Sequence, residues 1–188
     1  MKGNILNILL CLGLISYAEI SFSQEYMPFP QDSATWYTMY VYDWPSPPYY
    51  YYTTYKFETS GDTIINNINY TILNFGPALE DSTHYQGAYR NDTLNKKVYY
   101  IDKLDTAEML LYDFNLLPGD TIPVIGPSGT LAFNITCLDT STLIINNIPH
   151  LSLLIETYDI DLECITTWVE GIGSLRMPIE TSVKLNIK

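Results

Sequence analysis

Short runs of β-branched and aromatic residues recur along the chain, and most of them end at glycine, proline, asparagine or aspartate. These residue types favour the pleated surface of a strand, and helical spacing of apolar residues is almost absent. Runs separated by turn residues in this way are typical of antiparallel sheets. The sequence therefore predicts an all-β chain, either a single antiparallel β-sandwich or a partly open β-barrel. The predicted strands are Thr35–Asp43, Tyr50–Glu58, Thr63–Ile65, Tyr70–Leu73, Tyr85–Arg90, Lys97–Ile101, Glu108–Phe114, Thr130–Leu138, Leu143–Ile145, Leu151–Thr157, Cys164–Val169 and Ser174–Met177.

The first 23 residues have the layout of a secretory signal. Lys2 precedes the apolar run Ile5–Tyr17, and Ser21-Phe22-Ser23 supplies the small residues of a cleavage site. We expect cleavage after Ser23 and export to the periplasm, the cell surface or the medium. The run is shorter than the roughly 20 residues of a membrane-spanning helix, and no later stretch is longer, so no membrane span is expected after cleavage. The expected organisation is a signal peptide at 1–23 and one all-β domain at 24–188, with an aromatic-rich part at 24–60 and a second part at 61–177.

The excess of acidic side chains argues against nucleic acid as a partner. The 188 residues include 9 basic and 21 acidic side chains, for a net charge of -12, and 47% of residues are hydrophobic. Cleavage of the signal removes Lys2 and Glu19, so the charge of the mature domain is the same. This hydrophobic content is enough for a folded core. So few basic residues offer little for phosphate contacts, and we expect no nucleic-acid binding.

Two cysteines, Cys137 and Cys164, remain after cleavage of the signal. In an oxidising compartment an even count makes a disulfide between them plausible, and two buried free thiols are the alternative. The two histidines, His84 and His150, lie far apart and lack metal-ligand spacing, so no bound metal or cofactor is expected. Neither histidine lies in a recognisable catalytic motif.

Three carboxylates alternate with aliphatic residues near the C-terminal end. On a strand, Asp159, Asp161 and Glu163 would share one face. Such a face is a candidate for Ca²⁺ binding or for acid and base catalysis. It is also typical of the wet side of an edge strand, where charge discourages pairing with other chains.

The aromatic block is the most unusual feature, with ten aromatic residues between Trp36 and Tyr55. Rigid rings with a polar tip suit a recognition surface and can stack on sugars. The alternative is packing in the core, because alternation along a strand sends every second ring to the same face. The candidate ligand-binding residues are Trp44, Tyr49, Tyr50, Tyr51 and Tyr52.

One local pattern occurs twice. Asp62–Tyr70 and Thr142–His150 share an aliphatic run that ends at two asparagines. Asparagine tolerates positive φ, so each copy is predicted to form a hairpin with Asn-Asn at its tip.

A set of motifs in a fixed order resembles uncharacterised exported proteins of Bacteroidetes, which often precede a type IX secretion sorting domain. The resemblance implies an all-β secreted module and brings no established activity. The sequence ends fourteen residues after Ser174, and we expect no sorting domain in it. The motifs are Gly61–Asn66, Tyr89–Thr93, Lys96–Tyr99, Leu110–Phe114, Gly119–Thr121 and Trp168–Ser174.

These observations favour an exported, non-enzymatic interaction module at the surface or in the periplasm, with a glycan or an envelope protein as the partner. The alternatives are a secreted hydrolase that uses Asp159, Asp161 or Glu163, and a structural subunit of an envelope assembly.

Overall fold

The computed structural model describes residues 25–43, 50–80, 82–125, 131–159 and 162–175, and the prediction of an all-β fold is confirmed in these ranges. The described chain forms two antiparallel sheets. The first sheet has the order β1-β2-β3-β4-β5-β6, and the second has the order β11-β10-β9-β8-β7. The strands are β1 (Thr35–Asp43), β2 (Tyr50–Ile65), β3 (Ile68–Pro77), β4 (His84–Asp92), β5 (Lys97–Asp102), β6 (Met109–Asp113), β7 (Thr121–Ile125), β8 (Leu131–Ile145), β9 (Ile148–Asp159), β10 (Leu162–Val169) and β11 (Gly173–Ser174).

Each sheet is a meander, because hydrogen-bonded neighbours are also neighbours in sequence. The two sheets curl into half-barrels. Their concave faces share one hydrophobic cluster, to which the first sheet contributes Leu73 and Tyr100 and the second contributes Leu153 and Trp168. Among the described residues, we find no helix with the length and apolar character needed to cross a membrane.

The two predicted Asn-Asn hairpins are confirmed. Asn66 and Asn67 join β2 to β3 with φ of 51° and 64°, and Asn146 and Asn147 join β8 to β9 with the same two values. Positive φ at both central residues is the geometry of a type I′ turn, whose twist matches that of the flanking strands.

Two local predictions were wrong for identifiable reasons. Two separate strands, Tyr50–Glu58 and Thr63–Ile65, were predicted, but β2 continues through Gly61 between them, and the register with β3 shifts between Thr59 and Asp62. A glycine at φ 98° allows the extra residue to form a bulge instead of ending the strand. Strand β7 was missed because it contains Pro123, which is tolerated here because β7 lies at the edge of the described part of the second sheet.

The segment before β1, which we call the N-terminal strap (Tyr26–Pro30), lies against both sheets. Phe29 is only 1% exposed and belongs to the main hydrophobic cluster. Its ring stacks on Trp36 at a centroid distance of 5.1 Å and meets Tyr89 edge-on at 5.0 Å. The strap therefore completes the core.

Candidate functional site

Strand β1 and the first part of β2 (Tyr50–Glu58) form an antiparallel pair that we call the aromatic ribbon. On its concave face, Tyr40 meets Tyr55 edge-on at 5.3 Å, and Tyr55 stacks on Phe75 of β3 at 5.0 Å with an interplanar angle of 13°. Phe75 in turn contacts Phe57 at 4.7 Å. These rings pack on the core side, so core packing is the correct interpretation for Tyr40 and Tyr55.

The opposite face of the ribbon is exposed. Tyr37, Met39 and Tyr52 are 67%, 60% and 57% exposed. Tyr52 pairs with Val41, and Met39 pairs with Thr54, so Met39 and Tyr52 are diagonal neighbours across the two strands. Diagonal side chains in a sheet lie about 7–8 Å apart, within reach of long side chains. The three side chains thus form one stripe on the outer surface, which we call the outer stripe.

Charged groups border the outer stripe. Tyr37 pairs with Lys56, whose ammonium lies 3.4 Å from the carboxylate of Glu58. Thr83 donates a hydrogen bond to Glu58, and this bond is the main reason why the pKa of the Glu58 carboxyl is below its usual value. The surface around the stripe therefore offers both a cation and an ionised carboxylate at neutral pH.

Of the five candidate ligand-binding residues, the structure describes the side chain of Tyr52 alone, and that side chain is exposed. Tyr50 and Tyr51 lie in β2, but their side chains fall outside the described residues. Trp44 and Tyr49 lie outside the described residues entirely. Tyr37 and Met39 join Tyr52 in the outer stripe. The sequence did not single them out, because alternation alone does not tell which face of a strand is wet.

The disulfide between Cys137 and Cys164, one of the two alternatives from the sequence, is not formed, and Cys137 is a buried free thiol. Cys137 pairs with Ile155 of β9, and Cys164 pairs with Thr157 on the other side of the same strand. Two interstrand spacings separate their backbones by at least about 9.5 Å. Bridged Cα atoms lie within about 7 Å, so the register excludes the bond. Burial also raises the pKa of the Cys137 thiol.

The three carboxylates do not lie on one strand as expected. Strand β9 ends at Asp159 and β10 begins at Leu162, which pairs with Asp159, so the chain reverses direction between them. Glu163 lies on β10, opposite Tyr158. The side chains of Asp159 and Glu163, and the whole of Asp161, lie outside the described residues. A role of these carboxylates in Ca²⁺ binding or catalysis therefore stays a prediction. Within the described ranges, no group of three or more His, Cys, Asp or Glu side chains is placed to hold a metal ion.

The two histidines have different surroundings. His84 is exposed at the start of β4. His150 is buried, and its Nδ1 lies 2.8 Å from the backbone oxygen of Glu170. This contact joins β9 to the segment after β10, so His150 holds two parts of the second sheet together.

An ion pair on the outer face of the first sheet was not predicted from the sequence. Arg90 binds Glu108 through two nitrogens, with the Nη2 contact at 2.8 Å, and its guanidinium lies 4.3 Å from the centre of the Tyr99 ring. Tyr70 also donates to Glu108. The bond from Arg90 is the main reason why the pKa of Glu108 is lowered. The pair secures the start of β6 against β3 and β4.

No family model, curated protein or solved structure matches this chain. The resemblance to exported Bacteroidetes proteins therefore stays a prediction.

Proposed function

We propose that the protein is an exported, non-enzymatic interaction module that binds a glycan through the outer stripe of its aromatic ribbon. The observation that carries this proposal is the exposure of Tyr37, Met39 and Tyr52 on one face of a paired strand ribbon. Tyrosine has only two rotatable side-chain bonds, so Tyr37 and Tyr52 lose little conformational freedom when a ligand binds. Exposed tyrosine rings can stack on the apolar face of a sugar.

The neighbouring polar groups suit the same ligand class. Lys56 and Glu58 provide a donor and an acceptor beside the rings, as sugar hydroxyls require. In the sequence, Trp44 directly follows β1 and Tyr49 directly precedes β2. Both residues are candidates to extend the outer stripe.

A glycan array read with the mature protein tests this proposal. We expect binding by the wild type and a loss of about 10-fold or more in the Tyr37→Ala, Tyr52→Ala double variant, because two stacking contacts are removed. Tyr85→Ala is the matched control, since Tyr85 is also an exposed tyrosine but lies on β4. Absence of binding by the wild type, or an equal loss in the control, would reject the glycan proposal.

A second candidate, a structural subunit of an envelope assembly, is favoured by the edge position of β1. This strand is nine residues long, contains neither lysine nor proline, and lies at the edge of the described part of the first sheet. Such edges readily pair with a strand from another protein. A photo-crosslinker at Met39 should capture one defined envelope protein in the native host, and the same group at Ile165, which is exposed on β10, should not.

A further inference from the structure

The segment Trp168–Ser174 packs against one side of the N-terminal strap. Glu170 is only 2% exposed, and its Oε1 accepts a hydrogen bond from the backbone nitrogen of Met27 at 3.2 Å. Its Oε2 accepts one from the backbone nitrogen of Leu151 at 3.4 Å. The buried carboxylate thus joins the strap to β9.

Two glycines in this segment leave space that the strap fills. A Cβ on Gly171 would lie 3.3 Å from the Cβ of Met27. A Cβ on Gly173 would lie 2.8 Å from the Phe29 ring and 2.8 Å from the hydroxyl of Tyr112. Both glycines also have positive φ, 77° and 95°. The backbone can therefore approach the strap closely only because these side chains are absent.

Residues of the first sheet contact the other side of the N-terminal strap. The Asn91 side chain bonds both backbone groups of Phe29, accepting from its nitrogen at 2.9 Å and donating to its oxygen at 2.9 Å. Tyr89 donates to the backbone oxygen of Pro30. Trp36 stacks on Phe29 and donates from its indole nitrogen to the oxygen of Ile172 at 3.1 Å. Backbone hydrogen bonds combined with a pocket for one side chain are the features of a site that binds an extended peptide.

The strap is joined to the rest of the domain by an exposed hinge, Gln31–Ser33. Ser33 has a φ of 51°, which is unfavourable for a residue other than glycine, asparagine or aspartate. A short, strained hinge favours exchange of the attached segment between copies. The hydrogen bonds and ring contacts given above are made by Met27, Phe29 and Pro30, which precede the hinge.

We propose that Trp168–Ser174, together with Asn91 and Tyr89, forms a peptide-binding socket that takes an extended segment with a phenylalanine. The chain's own strap occupies the socket in the monomer, and the strap of a second copy can replace it. This site is separate from the outer stripe and does not depend on glycan binding.

The proposal is tested by cutting the hinge. A protease site replaces Gln31–Ser33 in the mature chain, and the cut protein is analysed by gel filtration and mass spectrometry. We expect the strap to stay bound after cutting. A labelled peptide of residues 24–33 in excess should then exchange into the socket at one per domain, and the same peptide with Phe29→Ala should bind about 10-fold or more weakly.

Release of the strap from a body that stays folded would contradict the proposal, and so would failure of the labelled peptide to bind. If cutting unfolds the body, excess peptide should restore the native circular dichroism spectrum, and no recovery would also contradict it. Asn91→Ala should speed release of the strap from the cut protein. Asn69→Ala, in the exposed end of the β2–β3 hairpin, is the matched control and should leave the release rate unchanged.

Exchange between copies has its own readout. Concentrated mature protein should form a dimer by light scattering, and excess strap peptide should dissociate it. A dimer that the peptide does not affect, or no dimer at any concentration, would contradict exchange between copies.

Discussion

Replacement of Gly173 by alanine tests the packing of the N-terminal strap most directly, because it adds one methyl group at a defined contact. The first cost comes from the backbone, since a φ of 95° is unfavourable for an alanine by about 1–2 kcal/mol. The second comes from overlap with the Phe29 ring and the Tyr112 hydroxyl, each 2.8 Å from the new Cβ. Both partners are buried, and such overpacking costs about 1–3 kcal/mol. We therefore expect Gly173→Ala to lower the free energy of unfolding by about 2–5 kcal/mol.

Gly119 provides a matched control that separates the two costs. Its φ is 96°, and a Cβ there would have no neighbour within 4 Å. Gly119→Ala should therefore show the backbone cost alone, about 1–2 kcal/mol. Urea titrations followed by tryptophan fluorescence measure both variants, and the corresponding shift of the melting temperature is about 2–4 °C for each kcal/mol in a domain of this size.

Equal losses of stability in the two variants would refute the described contact between Gly173 and the strap. A double-mutant cycle gives a second check. In a Phe29→Ala background, the cost of Gly173→Ala should fall, because one of the two overlapping groups is gone. Strict additivity of the two substitutions would also refute the contact.

Three further predictions concern other parts of the fold. Glu108→Gln should cost about 1 kcal/mol at neutral pH, because it breaks the paired bonds to Arg90. The pKa of Glu108 is lowered in the folded state, so this stability is present above the unfolded pKa of about 4.3 and is lost as the pH falls through the folded pKa. Urea titrations should thus show no difference between variant and wild type in strong acid, and a difference independent of pH would contradict the pairing. Peptide mapping should show that a thiol reagent leaves Cys137 unlabelled in native buffer and labels it fully in urea, and rapid native labelling of Cys137 would argue against its burial. Asn67→Gly should raise the free energy of unfolding by about 0.5 kcal/mol in thermal melts, since glycine is favoured at this position of a type I′ turn, and a loss of stability would argue against that turn type.

Local patterns in the sequence were sufficient for much of the fold. Strand β1 has the predicted bounds, Thr35–Asp43, because β-branched and aromatic residues fill it and a proline-rich segment follows it. The Asn-Asn turns were predictable for the same reason, since the two central residues determine the backbone geometry. In each case the deciding interactions lie within a few residues.

The features that sequence reasoning missed depend on residues far apart in the chain. Nothing near Gly173 indicates that Phe29 will occupy the space beside it. The absence of a disulfide follows from the position of β9 between the two cysteines, which is a property of the sheet order. The outer stripe could be identified only from the structure, because the structure establishes which face of β1 packs on the core.

Met27 of the strap and Glu170 of the socket are separated by 143 positions in the sequence. The partners of Phe29 in the first sheet are synthesised well before Trp168–Ser174, so the contacts of the strap with Glu170, Gly171 and Gly173 form last. The closure of so long a loop is slow, and until it closes the side of Phe29 that faces Gly173 stays uncovered. Phe29 is therefore covered in two stages, first by residues of the first sheet and later by the segment that follows β10.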